Sequence, residues 1–425
     1  MELREIKKDI FDQFVSKSNK SHFMQTSAWG EVSSSRGYRI HHLGLYDGDE
    51  LCATALLLEK KILYYSTYYC PRGFIADYKD LNLLKKMIDE LKKYVKQNRG
   101  LYFRMDPDII LNQLNEEGEV INHDDDSLNL IEFMKLNGAR HKGYTIRFAE
   151  SSLPRFTFRI SVKESEEEIL KRMHPKICKV FRNGIPKGIS VYKGNSDDVK
   201  AFHDTMKETA IRKKLYLEPL KFFMDYYTIL NAHDMSDIYV AQADINVIRE
   251  SYVDKMNNLK AEKEKLLLKP NAKTAARISE MDNQLSKLER EYQELENYKD
   301  EKIILSSVIT AKFKDKVWLI HGGNKDCLQF LNANYHLYYG IMMDAKKEGY
   351  ETVDFFGSEG KIDKNSDLYG IYLFKSRFGG DFDEFIGEFD FIIRPLINNI
   401  INYLLIKRRK ILMKKAIKEV SNATD

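Results

Sequence analysis

Two short stretches carry side chains suited to group-transfer chemistry. Lys375 stands in Phe374-Lys375-Ser376, an ammonium beside an aromatic ring. A semi-buried cation there suits an oxyanion or a substrate carboxylate; the alternative is a strand lysine with its head in solvent. Asp106 closes Arg104-Met105-Asp106-Pro107 at the end of a short apolar run. A carboxylate at a buried strand end could orient an incoming amine or accept its proton. An Asx turn or helix cap ahead of Pro107 explains it equally well. No histidine advertises a Ser-His-Asp or Cys-His nucleophile, and no Walker loop is visible. The acetyl-CoA phosphate loop, Q/R-x-x-G-x-G/A, has only a near miss in Arg140-His141-Lys142-Gly143-Tyr144-Thr145.

Alternating helical and strand-like segments must position these residues. In residues 1–152, a helix from Ile6 to Ser18 precedes strands at Tyr38–Tyr46 and Leu51–Leu58. The run KILYYSTYYC stops at Pro71-Arg72-Gly73, and LNLLKKMIDELKKYVKQNRG reads as an amphipathic helix with Gly100 as its stop. A second series begins near Phe156 with FTFRISV. One basic helix, KESEEEILKRMHPKICKVFRNG, follows, then the strands ISVYKG and DIYVAQADI. IILSSVITAKF and KVWLIHGG make a hairpin about Lys314-Asp315-Lys316, ahead of a helix from Ala333 to Glu348.

Between the strands of the second series lies a different pattern. Tyr252, Met256, Leu259 and Leu266, then Ile278, Met281, Leu285, Leu288, Tyr292 and Leu295, recur every three or four residues among Lys, Glu, Asp and Gln. That is a coiled-coil seam. Lys263 interrupts its first limb, and Pro270-Asn271 separates the limbs. The expected organisation is a first module over 1–152, a second over 153–245 and 303–395, an arm over 246–302 and a basic C-terminal helix over 396–425. The fold class is α/β (α+β). Each limb of the arm would run roughly 35–45 Å.

Net charge is only +4, from 68 basic against 64 acidic residues, so a nucleic-acid partner must be met through local patches. Lys171, Arg172, Lys176, Lys179 and Arg182 form one such patch, or a solvated face. Four scattered cysteines without C-x-x-C argue for a reducing compartment and against a zinc site. With neither a signal peptide nor an apolar stretch of membrane-spanning length, a cytoplasmic protein is expected. The tail INNIINYLLIKRRKILMKKAIKEV is basic and amphipathic. It reads as a packed terminal helix or as one lying on the inner membrane face.

Four signals occur together in order: HFMQTSAWGEVSSSRGY (22–38), YYCPRGFIADYKD (68–80), LYFRMDPDIILNQLNEEGE (101–119) and YGIYLFKSRFGGDFDEFIGEFD (369–390). With the arm, this combination resembles the FemABX peptidyltransferases (FemA, FemB and MurM types) almost end to end. The resemblance implies two acetyltransferase-related (GNAT-like) modules, the second interrupted by an antiparallel coiled-coil arm. It implies an aminoacyltransferase that adds glycine, alanine or serine from aminoacyl-tRNA to the stem-peptide lysine amine, or to the growing cross-bridge, of a peptidoglycan precursor, in lipid-linked form. No metal or dissociable organic cofactor is implied. The family's Phe-Lys pair matches Phe374 and Lys375, with the lysine stabilising charge. Asp106 would position or deprotonate the amine.

Arg212, in ETAIRKK, falls at the family's phosphate-contacting arginine, with a solvated helix charge as the alternative. Arg104, Tyr216 and Tyr338 join it as substrate-binding or cleft-lining candidates; for the tyrosines, core packing is the alternative. Where family members often carry a phosphate-binding lysine, this chain has Ser33, and Arg36, one helical turn on, could substitute. The arm could touch tRNA or protein, through self-association or association with related transferases. A catalytically silent scaffold that binds the precursor and recruits partner transferases is the rival reading.

Overall fold

The computed structural model describes residues 1–147, 150–268, 271–299, 301–360 and 363–407. The chain separates into two compact units. One comprises Met1–Phe156 together with the chain from Asp383 onward; the other contains Thr157–Ser358 and the segment ending at Phe382.

The first unit is built on a seven-stranded sheet in the order Glu2–Glu5, Arg39–Asp47, Glu50–Ile62, Tyr65–Cys70, Gly100–Met105, Phe389–Ile392, Ala139–His141. All neighbours are antiparallel except Tyr65–Cys70 and Gly100–Met105, which run parallel. A parallel pair needs a crossover, and the helix Leu81–Gln97 supplies it. Asp80 caps this helix by accepting from the amides of Asn82 and Leu83. Leu83, Leu84, Met87, Ile88, Leu91 and Val95 recur on one face and fill the core against Tyr68, Phe103 and Phe391. Gly100 is the first residue of the next strand rather than the helix stop. A Cβ there would meet the Val95 carbonyl at 2.7 Å and Tyr68 at 3.0 Å, so close approach explains the glycine.

The second unit repeats this plan. Its strands run in the order Ile189–Lys193, Ile238–Asp244, Lys302–Phe313, Lys316–Asn324, Thr352–Asp354, Phe156–Ser161. Lys316–Asn324 and Thr352–Asp354 are parallel, and the helix Ala333–Lys347 is the crossover. The α/β class and the plan of paired modules therefore stand. Their boundary falls elsewhere than the sequence grouping placed it. Phe389–Ile392 lies in the first unit's sheet, paired with Gly100–Met105 in the register Asp390↔Arg104.

The arm enters at a hairpin. Asp244 pairs with Lys302 across adjacent antiparallel strands, so its two ends are neighbours. At the corresponding connection of the first unit, Asp47 pairs with Glu50 around a two-residue turn. An insertion whose ends are already closed disturbs the sheet little. The helices Ile245–Leu267 and Ala272–Glu296 are about 35–38 Å long at 1.5 Å per residue. They run antiparallel, with Tyr252 bonded to Glu291, Lys263 to Asp282 and Arg277 paired with Glu262. Every expected seam residue is buried or half-buried. The interrupting Lys263 is half-buried too and satisfied by Asp282. Pro270 lies outside the described residues.

The single basic helix expected after Phe156 is two helices, Glu166–Arg172 and Pro175–Arg182. Pro175 opens the second, where its missing N–H costs nothing. A final helix covers 395–407, and most of the basic tail, 408–425, lies outside the described residues. Among the described residues no helix is long and apolar enough to cross a membrane.

Candidate functional site

Asp106 sits where two parallel strands end side by side. Cys70 pairs with Met105 as the last rung, and both chains then turn away. Arg72 and Gly73 adopt left-handed φ of 56° and 77°. This turn aims the Arg72 amide at the Asp106 carboxylate, Oδ1 at 2.9 Å. Gly73 is required there because a Cβ would lie 2.6 Å from the Tyr78 hydroxyl and 3.2 Å from Pro107. The Tyr69 hydroxyl donates to the same carboxylate, 3.0 Å from each oxygen. Asp106 is thus a buried strand-end acceptor.

Burial pushes its pKa up to about 6; the Arg72 guanidinium and amide pull the other way. A carboxylate poised near 6 is ionised at neutral pH yet basic enough to take a proton. Asp106 faces a small cavity lined by Arg72, Thr145, Arg155 and Glu388. Tyr69 also lines a much larger cleft of about 380 Å³, with Trp29, Ser33, Arg36, Tyr38, Lys60 and Arg104. The route from that cleft to Asp106 therefore runs through the Tyr69 hydroxyl, which the sequence reading passed over.

The cleft has a cationic rim. Arg36 and Ser33 line it together, as the helix Ser27–Ser35 places them one turn apart. Lys60 donates to the Arg36 carbonyl at 3.2 Å and lies 4.7 Å over the Tyr38 ring. Arg104 is already committed. Its guanidinium grips Asp390 bidentately at 2.6 and 3.0 Å, and Glu388 stands 3.3 Å away. It serves as a wall whose charge is neutralised, so the cleft cation without a carboxylate partner that the sequence reading missed is Lys60, held by the Arg36 carbonyl and the Tyr38 ring. Its position on the strand Glu50–Ile62 had no local motif to mark it.

Lys375 is on a helix, Tyr369–Ser376, and is buried, so it is not a strand lysine in solvent. Phe356 takes a left-handed φ of 51°, and the carbonyls of Phe355, Phe356 and Gly357 converge on the Lys375 ammonium at 2.7, 2.7 and 2.6 Å. An ammonium has three donors, and all three are used. Burial pushes Lys375 down to about 7, opposed by the Asp354 carboxylate. As placed, Lys375 organises a backbone turn rather than facing an open site.

Phe374 and Tyr338 belong to the same aromatic cluster, their rings 4.8 Å apart and packed with Phe355 and Phe378. Arg212 pairs with Asp326 at 3.4 Å and donates to the Asn324 carbonyl. Tyr216 is 82% exposed and lines neither cleft. Lys375, Phe374, Tyr338, Arg212 and Tyr216 all lie in the second unit; Asp106, Arg104 and Arg36 lie in the first.

The model of the FemAB family matches residues 6–405. The chain belongs to the FemAB family. Its relatives include the lipid II:glycine glycyltransferase of Staphylococcus saprophyticus, 24% identical over 417 residues, covering 96% of this chain and 97% of that protein. The lipid II:glycine glycyltransferase of Staphylococcus aureus is 26% identical over 434 residues, covering 99% of each. A crystal structure of FemX superposes with a TM-score of 0.73 at 24% identity, covering 94% of this FemAB-family chain and 99% of that one. The last likeness establishes the fold.

Proposed function

We propose that this protein is a tRNA-dependent aminoacyltransferase of peptidoglycan cross-bridge formation. It takes a small residue (glycine, alanine or serine) from aminoacyl-tRNA. The acceptor is the stem-peptide lysine amine, or the growing bridge, of a lipid-linked precursor at the inner face of the cell membrane. The observation that carries this reading is the likeness, over 96% or more of the chain, to enzymes named lipid II:glycine glycyltransferase.

The geometry supplies a fitting mechanism. The neutral amine attacks the ester carbonyl of the donor, forming the C–N bond. The ammonium proton passes to the Tyr69 oxygen as the Tyr69 proton passes to Asp106. The tetrahedral oxyanion then collapses and the bond to the tRNA ribose oxygen breaks. That oxygen leaves as the hydroxyl by taking the proton back from Asp106 through Tyr69. Arg36 and Lys60 hold an anionic part of the acceptor at the cleft rim, taking the place of the cation that Ser33 lacks. Lys375 contributes by fixing the Phe355–Gly357 turn, and meets a developing oxyanion only by exchanging one carbonyl for it.

The test measures acceptor binding and aminoacyl transfer separately, in the native protein and in Asp106→Asn. The enzyme reading expects both to bind and only the native protein to transfer. Binding without transfer in the native protein points to the scaffold instead.

A further inference from the structure

Beside the large cleft, the first unit has a second cavity of about 320 Å³ that the proposed mechanism leaves unused. Strand alternation builds its floor. Phe103 and Phe391 stack 4.4 Å apart on the core side of their strands, so Tyr102, Arg104, Asp390 and Ile392 project from the other face. The register Asp390↔Arg140 adds Arg140 from the strand Ala139–His141. Asn398 lines the same cavity from the helix 395–407, with Asn402 one turn on. All of these residues belong to the first unit.

Two groups lining it lack partners among the described residues. Asn398 is 6% exposed, and its side-chain Oδ1 is buried without a hydrogen bond. A buried acceptor left unpaired is costly and calls for a partner. Arg140 is exposed and has no carboxylate of its own. Its cross-strand neighbour Asp390 is taken by Arg104 at 2.6 and 3.0 Å, and Lys142 is balanced by Glu388 at 3.2 Å.

We propose that this cavity binds the C-terminal end of a peptide, its carboxylate on the Arg140 guanidinium and its last peptide group on the Asn398 amide. An Asn side chain offers an acceptor and a donor side by side, the complement of a peptide N–H and C=O. A guanidinium fork matches the two oxygens of a carboxylate. Tyr102 and Ile392 give a small side chain an apolar wall. A phosphate dianion fits less well, because the Asp390 carboxylate lines the cavity and Arg140 is its one uncommitted cation among the described residues. Tyr102 and Arg104 also line the large cleft, so the two compartments adjoin and one extended peptide reaches both. Under the proposed function, on which this identification rests, the peptide is the acceptor's stem peptide, with its free carboxyl end in the second cavity.

The test is isothermal titration calorimetry of the full-length protein, with no donor present, against the synthetic stem pentapeptide, its C-terminal amide and inorganic phosphate. The free acid should bind about tenfold more tightly than the amide. Arg140→Ala should erase that preference, and Asn398→Ala should weaken both peptides, with circular dichroism spectra unchanged. If the buried Asn398→Ala variant folds poorly, the exposed Arg140→Ala decides the matter alone. Equal binding of acid and amide by the native protein, or a preference kept in Arg140→Ala, overturns the proposal and leaves the enzymatic reading standing. Binding of neither peptide overturns it too; if the lipid-linked precursor also fails to bind, the enzymatic reading falls with it. Phosphate that binds as tightly as the acid, and is lost in Arg140→Ala, assigns the cavity to a phosphate group and also overturns the proposal.

Discussion

Asp106→Asn should make the protein more stable and far less active. The carboxyl is pushed from 3.8 to about 6 in the folded protein, chiefly by burial. At about 1.4 kcal/mol per unit, the buried charge costs about 3 kcal/mol at pH 7. Asparagine keeps the shape and can still accept from Tyr69 or Arg72, losing about 1 kcal/mol of charge-assisted bonding. The net gain is about 1–3 kcal/mol.

The pH dependence carries the sign. Between pH 3.8 and 6 the folded state binds more protons at this site than the unfolded state. The protonated form's stability is therefore fully present below about 3.8 and is lost as pH rises through 6. The variant lacks that loss, so its advantage should be near zero at pH 3.8 and complete above 6. Urea unfolding followed by Trp29 fluorescence, in a Trp318→Phe background, reports the first unit. Transfer should fall about 10²–10⁴-fold, the usual contribution of a positioned general base. A variant that keeps transfer within threefold, or loses stability at every pH, refutes the assignment.

Other expectations follow from the same geometry. Tyr69→Phe removes the link between cleft and carboxylate; kcat should fall at least tenfold with the fold intact by circular dichroism. Lys60→Ala should raise the acceptor KM about tenfold with little change in kcat, as steady-state kinetics would show. Lys375→Ala removes the ammonium from three convergent carbonyls, two of them buried and worth about 1–3 kcal/mol each, partly offset by relief of the buried ammonium. The urea midpoint read by Trp318 should drop; an unchanged midpoint with lost transfer would place Lys375 on the reacting atoms. Shortening the arm beyond Tyr252 and Glu291 should leave the second unit's stability within about 1 kcal/mol by the same fluorescence assay, because the strand ends at Asp244 and Lys302 are already paired.

Periodicity made some of this legible. The crossover helix Leu81–Gln97 and both limbs of the arm follow from residues three and four apart, since each element's burial is set by its own spacing. Asp106 was legible because an Asp-Pro after an apolar run marks a strand end. Long-range pairing was not. Nothing near Phe389–Ile392 announces that it completes the first unit's sheet, so the second module was drawn too long. Lys375 shows the limit of motif reading: the Phe-Lys pair was found, but three convergent carbonyls depend on the turn at Phe356, nineteen residues away. Tyr69 and Lys60 gained their roles from strand register alone. Tyr216, chosen as a cleft-lining aromatic, is instead largely open to solvent.

The most direct measurement is transfer of radiolabel from a mixed pool of aminoacyl-tRNAs to purified lipid-linked stem pentapeptide. Incorporation that ribonuclease pretreatment abolishes is the expected result, with the label naming the donor residue. No incorporation into that acceptor, nor into acceptors already carrying one or several bridge residues, would contradict the account.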